Sequence, residues 1–257
     1  MQNKKIYIIT GGTINKVAPH FAISAPAYGE IGEKLFKEIS KAKELNVNLI
    51  KTKMADPKFN HETFQKAEIR SIETNKDLKQ YISWLNHQSD TDCIILASAV
   101  ADFEIELPKE LSNKRLSSNN EYTLTLKPSE KILPLIRKDI FTISFKTLYN
   151  EENETKAMKN KELSDVVFVN DIGFKKNGII FNDKLEWNKS REDAIKTTAM
   201  HVFNHFDLVN RKCYGCGLQS PESFTHFINN RCDCGSKKST CMAFKTILKI
   251  YHNQNME

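Results

Sequence analysis

Short apolar runs that alternate with helix-forming segments constrain the fold of this chain more than any other feature of its sequence. Residues 93–97 (CIILA) are apolar at every position, which is typical of a strand buried on both faces of a parallel sheet. Comparable runs predict further strands at 6–10, 48–51, 141–145 and 166–169. Helical spacing or helix-forming composition predicts helices at 29–45, 76–87 and 151–164. The alternation predicts an α/β fold whose sheet is doubly wound, mostly parallel and Rossmann-like.

Two regions depart from this alternation. Residues 104–127 contain Pro108, a polar stretch and then the alternating run YTLTL, so we expect them to leave the sheet as a flap or hairpin. The last part of the chain differs in composition, because five of the six cysteines fall between 213 and 241. We therefore expect an α/β domain over residues 1–204 and a small cysteine-rich, zinc-ribbon-like module over residues 205–257.

The overall composition is that of an ordinary globular protein, with 40% hydrophobic and 27% charged residues among 257. A net charge of +6 suits an anionic ligand but is too small to require nucleic acid. No segment approaches the roughly 18 consecutive apolar residues of a membrane span, and the apolar run near the N-terminus is too short for a signal peptide. We therefore expect a cytoplasmic protein with no membrane partner, in which Cys93 is a reduced core thiol.

Two adjacent glycines, Gly11 and Gly12, directly follow the first predicted strand. Ligands of open parallel sheets bind beyond the carboxyl ends of the strands, where glycine permits sharp turns and close approach of the backbone. Exposed N–H groups there, with the helix that starts near Gly29, would form an anion site. A plain tight turn explains the pair equally well. The segment matches neither the G-x-G-x-x-G fingerprint nor a P-loop.

Other predicted strands also end in small, polar or charged residues. The stretch 97–103 (ASAVADF) follows the buried strand, and its small residues leave room for a ligand. Asp102 in this stretch could bind a ribose hydroxyl or a metal, or simply cap the strand. Lys146 and Asn170 follow the next two strands. Because the carboxyl ends of parallel strands share one edge of a sheet, these groups are predicted to lie together.

The cysteine-rich tail has the pattern of a zinc ribbon. A C-x-x-C pair and a C-x-C pair are separated by 15 residues. Four thiolates at such spacing are typical of structural Zn²⁺, and redox-active thiols are the competing interpretation. The predicted zinc ligands are Cys213, Cys216, Cys232 and Cys234, with Cys241 as an alternative to one of the second pair and His226 as a weaker candidate.

Basic residues, among them Arg231, Lys237 and Lys238, surround these cysteines. A basic zinc ribbon could contact nucleic acid or a protein partner. A small metal-stapled domain with a solvated basic face is the simpler interpretation. Apolar residues spaced over 244–251 predict that a final helix docks against it.

Taken in order, these segments resemble the phosphopantothenate–cysteine ligase family, which catalyses the second step of coenzyme A synthesis. The resemblance runs from about residue 6 to about residue 183, and its most direct match is Ala-Val-Ala-Asp-Phe at 99–103. Other segments similar to family motifs follow the same order along the chain, at 10–13, 29–32, 114–118, 124–133, 144–146 and 168–171.

The resemblance implies a homodimer that ligates 4′-phosphopantothenate to cysteine with CTP, or ATP in some members, and Mg²⁺. A carboxylate attacks the α-phosphate to give an acyl-nucleotide, and the amine of cysteine then displaces the nucleotide. The implied nucleotide-binding residues are Gly11, Gly12, Thr13, Ala101, Asp102, Phe103, Lys146 and Asn170. The implied catalytic residues are Asp102 and the flap cation, which aligns with Arg115 or, after a shift of one residue, with Lys114.

The chain departs from the family where the acyl substrate is handled. Ala25 occupies the position of an asparagine that the family ties to the intermediate, and an alanine side chain neither donates nor accepts a hydrogen bond. Arg115 in place of lysine keeps the charge but not the geometry. The nucleotide-binding residues match better. The alternatives to the family reaction are therefore a drifted substrate, a nucleotide-binding protein without ligase activity, or a nucleic-acid- or protein-associated factor that acts through the tail.

Overall fold

A computed structural model describes residues 4–55, 67–106, 114–149, 154–188 and 190–208. The strands are β1 (Lys4–Gly12), β2 (Ile14–Ala18), β3 (Phe21–Ser24), β4 (Leu45–Thr52), β5 (Ala67–Ile72), β6 (Thr91–Ala99), β7 (Phe103–Glu106), β8 (Thr125–Pro128), β9 (Phe141–Leu148), β10 (Val166–Asp171), β11 (Lys176–Phe181) and β12 (Lys184–Asn188). The helices are α1 (Glu30–Ile39), α2 (Asn75–His87), α3 (Glu154–Lys161) and α4 (Arg191–His205), with a 3₁₀ turn at Leu133–Leu135.

Eight of the strands form one sheet in the order β12-β11-β10-β9-β6-β1-β4-β5. The strands from β5 to β10 in this order pair in parallel, whereas β11 and β12 add an antiparallel hairpin at one edge. The chain winds from β1 outward to β4 and β5, returns to the other side of β1 as β6, and continues outward to β9 and β10. This reversal beside β1 confirms the predicted doubly wound, mostly parallel α/β fold.

Helices cover both faces of this sheet, and the alternation of side chains along β1 shows how. Ile6 and Ile8 belong to the core that α1 and α4 cover, whereas Tyr7 and Ile9 belong to the core that α2 covers. Helix α3 covers the second face further along the sheet, where Ala157 packs with residues of β10 and β11. A central strand with apolar neighbours on both sides has no solvated position, which explains the uniformly apolar run at 93–97.

Capping interactions set the limits of the helices. A capping box between Thr74 and Asp77 starts α2 one residue before the predicted position. Helix α1 ends at Ile39, well before the predicted residue 45. The amide of Ala42 donates to Ile39 O, and that of Leu45 donates to Ala42 O, so successive turns replace the helix and lead into β4. The helix predicted at 151–164 corresponds to α3.

Neither the hairpins β2–β3 and β11–β12 nor α4 was expected from the sequence. Asn182 and Asp183 both have positive φ (48° and 58°) and form the two-residue turn between β11 and β12, so this turn carried a readable signal. The sequence signal for helix α4 is weaker. Its buried residues include Thr197, Thr198 and His201, which interrupt the apolar periodicity that identifies a helix.

The excursion expected at 104–127 is a two-stranded ribbon outside the main sheet. Strands β7 and β8 pair antiparallel from Phe103↔Pro128 to Glu106↔Thr125. The predicted zinc ribbon and the helix expected after it lie outside the described residues. The domain boundary expected at residue 204 stays a prediction. In the part of the chain that the structure describes, no helix has the length and apolar character needed to cross a bilayer.

Candidate active site

Strands β6 and β9 separate before either of them ends, which opens a crevice at the carboxyl edge of the sheet. Pairing between β6 and β9 stops at Leu96↔Ser144. Strand β6 nevertheless stays paired with β1 as far as Gly12↔Ala99, and β9 stays paired with β10 as far as Leu148↔Asp171. The crevice lies one strand away from the point where the winding reverses. Open α/β sheets bind their ligands at this edge, so the crevice is the candidate active site.

The turn after β1 requires both of its glycines. Gly11 has φ of 101°, and a Cβ atom there would collide with Thr52 Oγ1. A Cβ atom on Gly12 would collide with the carbonyl oxygen of Ala25, and the Gly12 amide donates to Ala27 O at 2.8 Å. The glycines therefore hold the segment around Ala25, where the chain departs from the resemblance described above, directly against the end of β1.

Thr13 lies wholly inside the protein and joins the ends of two strands to α2. Its hydroxyl donates to Asn75 Oδ1 at 2.5 Å and accepts from the Ala101 amide at 3.0 Å, while Asn75 Nδ2 donates to Ala101 O at 2.8 Å. The Thr13 amide donates to Ala99 O at 2.9 Å. The amides of Gly12 and Thr13 thus bond within the protein in this conformation. A phosphate-binding role for the glycine turn stays a prediction.

Asp102 and Phe103 lie at the mouth of the crevice, at the base of the β7–β8 ribbon. Asp102 Oδ1 accepts a hydrogen bond from Lys131 Nζ at 2.7 Å, and both side chains are 68% exposed. Phe103 is partly exposed, and its carbonyl oxygen accepts from Asn15 Nδ2 at 2.6 Å. The same amide group donates to Ser129 Oγ at 3.0 Å, so Asn15 joins the β2–β3 hairpin to the ribbon.

Lys131, Asn15 and Ser129 were not among the residues predicted from the sequence. Each is distant in the chain from the group it contacts. Ser129 and Lys131 lie in the segment 124–133 that resembles a family motif, but the resemblance assigned neither of them a contact or a role. They are found only because the fold brings the start of the β2–β3 hairpin, the end of β6 and the segment after β8 to one place.

Lys146 and Asn170, the other predicted binding residues, are half-buried and flank the sheet edge from opposite faces. Lys146 lies two residues before Leu148, which packs in the core beneath α3, so Lys146 is on the face that α2 and α3 cover. Asn170 lies two residues beyond Phe168 and shares its face, which α1 and α4 cover. The side chain of Lys146 forms no hydrogen bond or ion pair with any residue the structure describes. A half-buried lysine without a counter-charge favours the binding of an anion.

The flap cations Lys114 and Arg115 lie in the connection between β7 and β8, and both side chains are exposed. No hydrogen bond or ion pair joins either of them to Asp102 in the described chain. The backbone that follows forms a compact turn in which the Ser117 amide donates to the Tyr122 hydroxyl at 3.0 Å. The structure thus pairs Asp102 with Lys131, and the catalytic role implied for Lys114 or Arg115 stays a prediction.

A buried ion pair lies beneath the start of α1. Glu33 and Lys51 pair with each other, with side chains only 2% and 5% exposed. Near this pair, Thr10 packs so closely against Gly32 that a Cβ atom on Gly32 would collide with the Thr10 side chain. Thr10 Oγ1 also donates a hydrogen bond to Gly29 O at 3.2 Å. Breaking a buried pair leaves an uncompensated charge, so this pair fixes the start of α1 against β4.

No group of three or more His, Cys, Asp or Glu side chains within the described ranges could hold a metal ion. Mg²⁺ that accompanies a nucleoside triphosphate is bound mainly by phosphates and water with one or two carboxylates, so it needs no cage of protein ligands. Among the predicted nucleotide-binding and catalytic residues, Asp102 is the one that carries a carboxylate, and it lies at the mouth of the crevice. The predicted zinc ligands lie outside the described residues.

Residues 1–199 match the model of the family described as DNA/pantothenate metabolism flavoprotein C-terminal domain. No curated protein sequence matches the chain.

Several solved structures share the fold, and three of them illustrate the similarity. The DNA/pantothenate metabolism flavoprotein from Streptococcus pneumoniae has 22% identity and a TM-score of 0.66, over 79% of this chain and 99% of that one. The C-terminal domain of the coenzyme A biosynthesis bifunctional protein CoaBC has 16% identity and a TM-score of 0.56, over 81% and 96%. A Cab2 mutant in complex with phosphopantothenate-cysteine has 17% identity and a TM-score of 0.59, over 80% and 88%.

Proposed function

Because the chain belongs to the family of DNA/pantothenate metabolism flavoprotein C-terminal domains, we propose that it is a ligase of coenzyme A biosynthesis. In this proposal it joins 4′-phosphopantothenate to cysteine at the expense of CTP or ATP. The structurally similar proteins include one named for coenzyme A biosynthesis and one in complex with phosphopantothenate-cysteine. Their identities to this chain are low, so the proposal depends on the crevice as well as on the family.

The observation that carries the proposal is the half-buried Lys146 at the fork between β6 and β9. Its ammonium group forms no ion pair within the described chain, and the opposite side of the fork consists of small residues at 97–99. A cation beside an open space at the carboxyl edge suits the phosphates of a nucleotide. Asp102 at the mouth and Asn170 on the far side supply the hydrogen-bonding groups that a ribose or a base requires.

The proposed reaction has two steps. The carboxylate of 4′-phosphopantothenate attacks the α-phosphorus of the nucleotide, so that a P–O bond forms and pyrophosphate leaves. The amine of cysteine then attacks the acyl carbon, loses a proton and displaces the nucleoside monophosphate. Mg²⁺ bound to the triphosphate would offset its negative charge. Fixed cations such as Lys146 and the flap residue Lys114 or Arg115 would stabilise the charge that develops.

A nucleotide-binding protein without ligase activity is the second candidate, and Ala25 favours it. Ala25 lies against Gly12, beside the end of β1, and offers no side-chain hydrogen bond to an intermediate. A drifted acyl or amine substrate would also accommodate this change.

The remaining features of the proposal concern assembly. We expect a homodimer, as the resemblance implies, and a structural Zn²⁺ held by the cysteine tail. A contact between the tail and nucleic acid or a protein would be an addition to the ligase reaction. Binding to nucleic acid would weaken steeply with salt and would depend on residues 205–257.

Pyrophosphate release by the zinc-replete full chain with Mg²⁺ tests the proposal. CTP and ATP are offered separately, with 4′-phosphopantothenate, in the presence and absence of cysteine. We expect release that requires phosphopantothenate, and an amide product, identified by its mass, that requires cysteine. Nucleotide binding measured by calorimetry without any pyrophosphate release would contradict the ligase and support the second candidate.

A further inference from the structure

Three asparagines form a row across the strands beside the crevice. Asn170 on β10 is paired with Asn177 on β11, and Asn177 is paired with Asn188 on β12. We call these three residues the amide row. Thr147 on β9, the strand that borders the fork, is the register partner of Asn170, so the amide row begins one strand away from the fork.

The amide row lies on the face of the sheet that α1 and α4 cover. Phe168 and Ile179, a paired position two residues away from Asn170 and Asn177, both belong to the core beneath these helices. Side chains two residues apart along a strand point to the same face. Ala97 of β6 and Ile31 at the start of α1 pack on this face as well. The amide row therefore lies on the same side of the sheet as the start of α1.

The members of the amide row differ in whether their side-chain carbonyl oxygens accept a hydrogen bond. Asn188 Oδ1 accepts a hydrogen bond from Thr197 Oγ1 of α4 at 2.9 Å. Asn177 is 6% exposed, and its Oδ1 atom is shielded from solvent without a hydrogen-bond donor among the described residues. A buried carbonyl oxygen without a donor is unfavourable, and such groups in folded proteins are rare enough to require an explanation.

We propose that Asn177 selects the base of the nucleotide, and that its Oδ1 accepts a hydrogen bond from the exocyclic amino group of cytosine or adenine. This inference rests on the proposed function, since it places a nucleotide in the crevice. Uracil and hypoxanthine carry a carbonyl oxygen where cytosine and adenine carry the amino group, so two acceptors would face each other. A site built around one hydrogen bond rejects an analogue that cannot form it more strongly than an apolar pocket rejects a change of shape.

Calorimetry with two pairs of nucleotides tests the inference: CTP against UTP, and ATP against inosine triphosphate. We expect the full-length protein to bind the amino-bearing member of at least one pair roughly tenfold more tightly. Asn177→Ala should bring that ratio close to one. Asn188→Ala is the matched control, because it removes an amide from the same row that is already satisfied by Thr197. It should lower the melting temperature and leave the ratio unchanged.

Asn177→Leu covers the case in which Asn177→Ala does not fold, because it fills a similar space without an acceptor and should also bring the ratio close to one. Equal affinities within both pairs, or a wild-type ratio in Asn177→Ala, would overturn the inference. The ligase proposal is judged separately, by pyrophosphate release. Turnover with an unchanged ratio in Asn177→Ala rejects the inference alone. A ratio that collapses without any turnover rejects the ligase alone. Binding of neither CTP nor ATP rejects both.

Discussion

At the scale of single residues, Lys146 is the group on which anion binding depends most directly. Lys146→Gln removes a half-buried charge that no described residue neutralises. Charge-assisted hydrogen bonds contribute about 1.5–3 kcal/mol, so we expect the affinity for CTP or ATP to fall roughly 10- to 100-fold in calorimetry. Lys196→Gln on α4 is the control, because it makes the same charge change at an exposed position. Equal losses in the two variants would show a general electrostatic effect instead of a binding site.

His201 makes folding sensitive to acid. It is buried on α4 against Phe181, with ring centroids 4.4 Å apart, and burial lowers its pKa from 6.5 to about 4. Above pH 6.5 the side chain is neutral in both the folded and the unfolded protein. Between pH 6.5 and about 4 only the unfolded chain takes up the proton, so the free energy of unfolding falls as the pH falls. The slope for one such group is at most about 1.4 kcal/mol per pH unit.

His201→Leu should remove this part of the pH dependence. Urea unfolding at pH 7.5 and pH 5.0 measures it as a difference between the wild type and the variant, so that the carboxylates common to both cancel. His20→Gln changes an exposed histidine and should leave the pH dependence as it is. If His201→Leu loses as much stability as the wild type between the two pH values, His201 is not the acid-sensitive group.

At the scale of elements, Thr13 holds β1, β6 and α2 in register beneath the site. Thr13→Val keeps the shape but leaves Asn75 Oδ1 and the Ala101 amide without their partner. Each buried group left unsatisfied costs about 1–3 kcal/mol, so we expect the free energy of unfolding to drop by about 2–4 kcal/mol in urea titration. Thr147→Val, at an exposed position on β9, should change it by less than about 0.5 kcal/mol. Similar results for both variants would refute the bracing role of the Thr13 hydroxyl.

The elements that could be predicted are those whose burial leaves an unambiguous pattern. The run at 93–97 identified the centre of β6, but the strand extends from Thr91 to Ala99 because its half-buried ends carry polar and small residues. Helix α4 was missed because threonines and a histidine occupy its buried face. The turn at Asn182 and Asp183 was readable, since its residue types match its positive φ angles.

The positions of the candidate site residues could be predicted, but their hydrogen-bond partners could not. Asp102, Phe103, Lys146 and Asn170 lie at the carboxyl edge because parallel strands place their ends together, which the alternation alone implied. The partners of Asp102 and Phe103 were not predictable, because Lys131 and Asn15 reach them only through the fold. The same holds for the Glu33–Lys51 pair, whose members are joined by the packing of α1 on β4.

At the scale of the whole molecule, the cysteine tail predicts that the purified chain carries about one zinc ion per chain. Cys213→Ser and Cys216→Ser should each lower the zinc content measured by elemental analysis, since structural sites need all four ligands. Cys93→Ala should not lower it. Cys93 is buried in β6, and burial raises the pKa of its thiol, which disfavours the thiolate that binds metal. Metal-free protein, or zinc lost equally in all three variants, would contradict the predicted ligand set.

The central position of β1 also has a consequence for synthesis. This strand is made before both of its neighbours in the sheet, which begin only at Leu45 and Thr91. At roughly 5–20 residues per second, the ribosome needs several seconds to deliver β6, and longer to deliver β9 and β10. During that interval Ile6 and Ile8 lack the strands and the last helix that finally cover them. The crevice, which needs the ends of four strands, therefore forms late, and a chain interrupted before Val166 would leave β9 without its outer neighbour and the crevice incomplete.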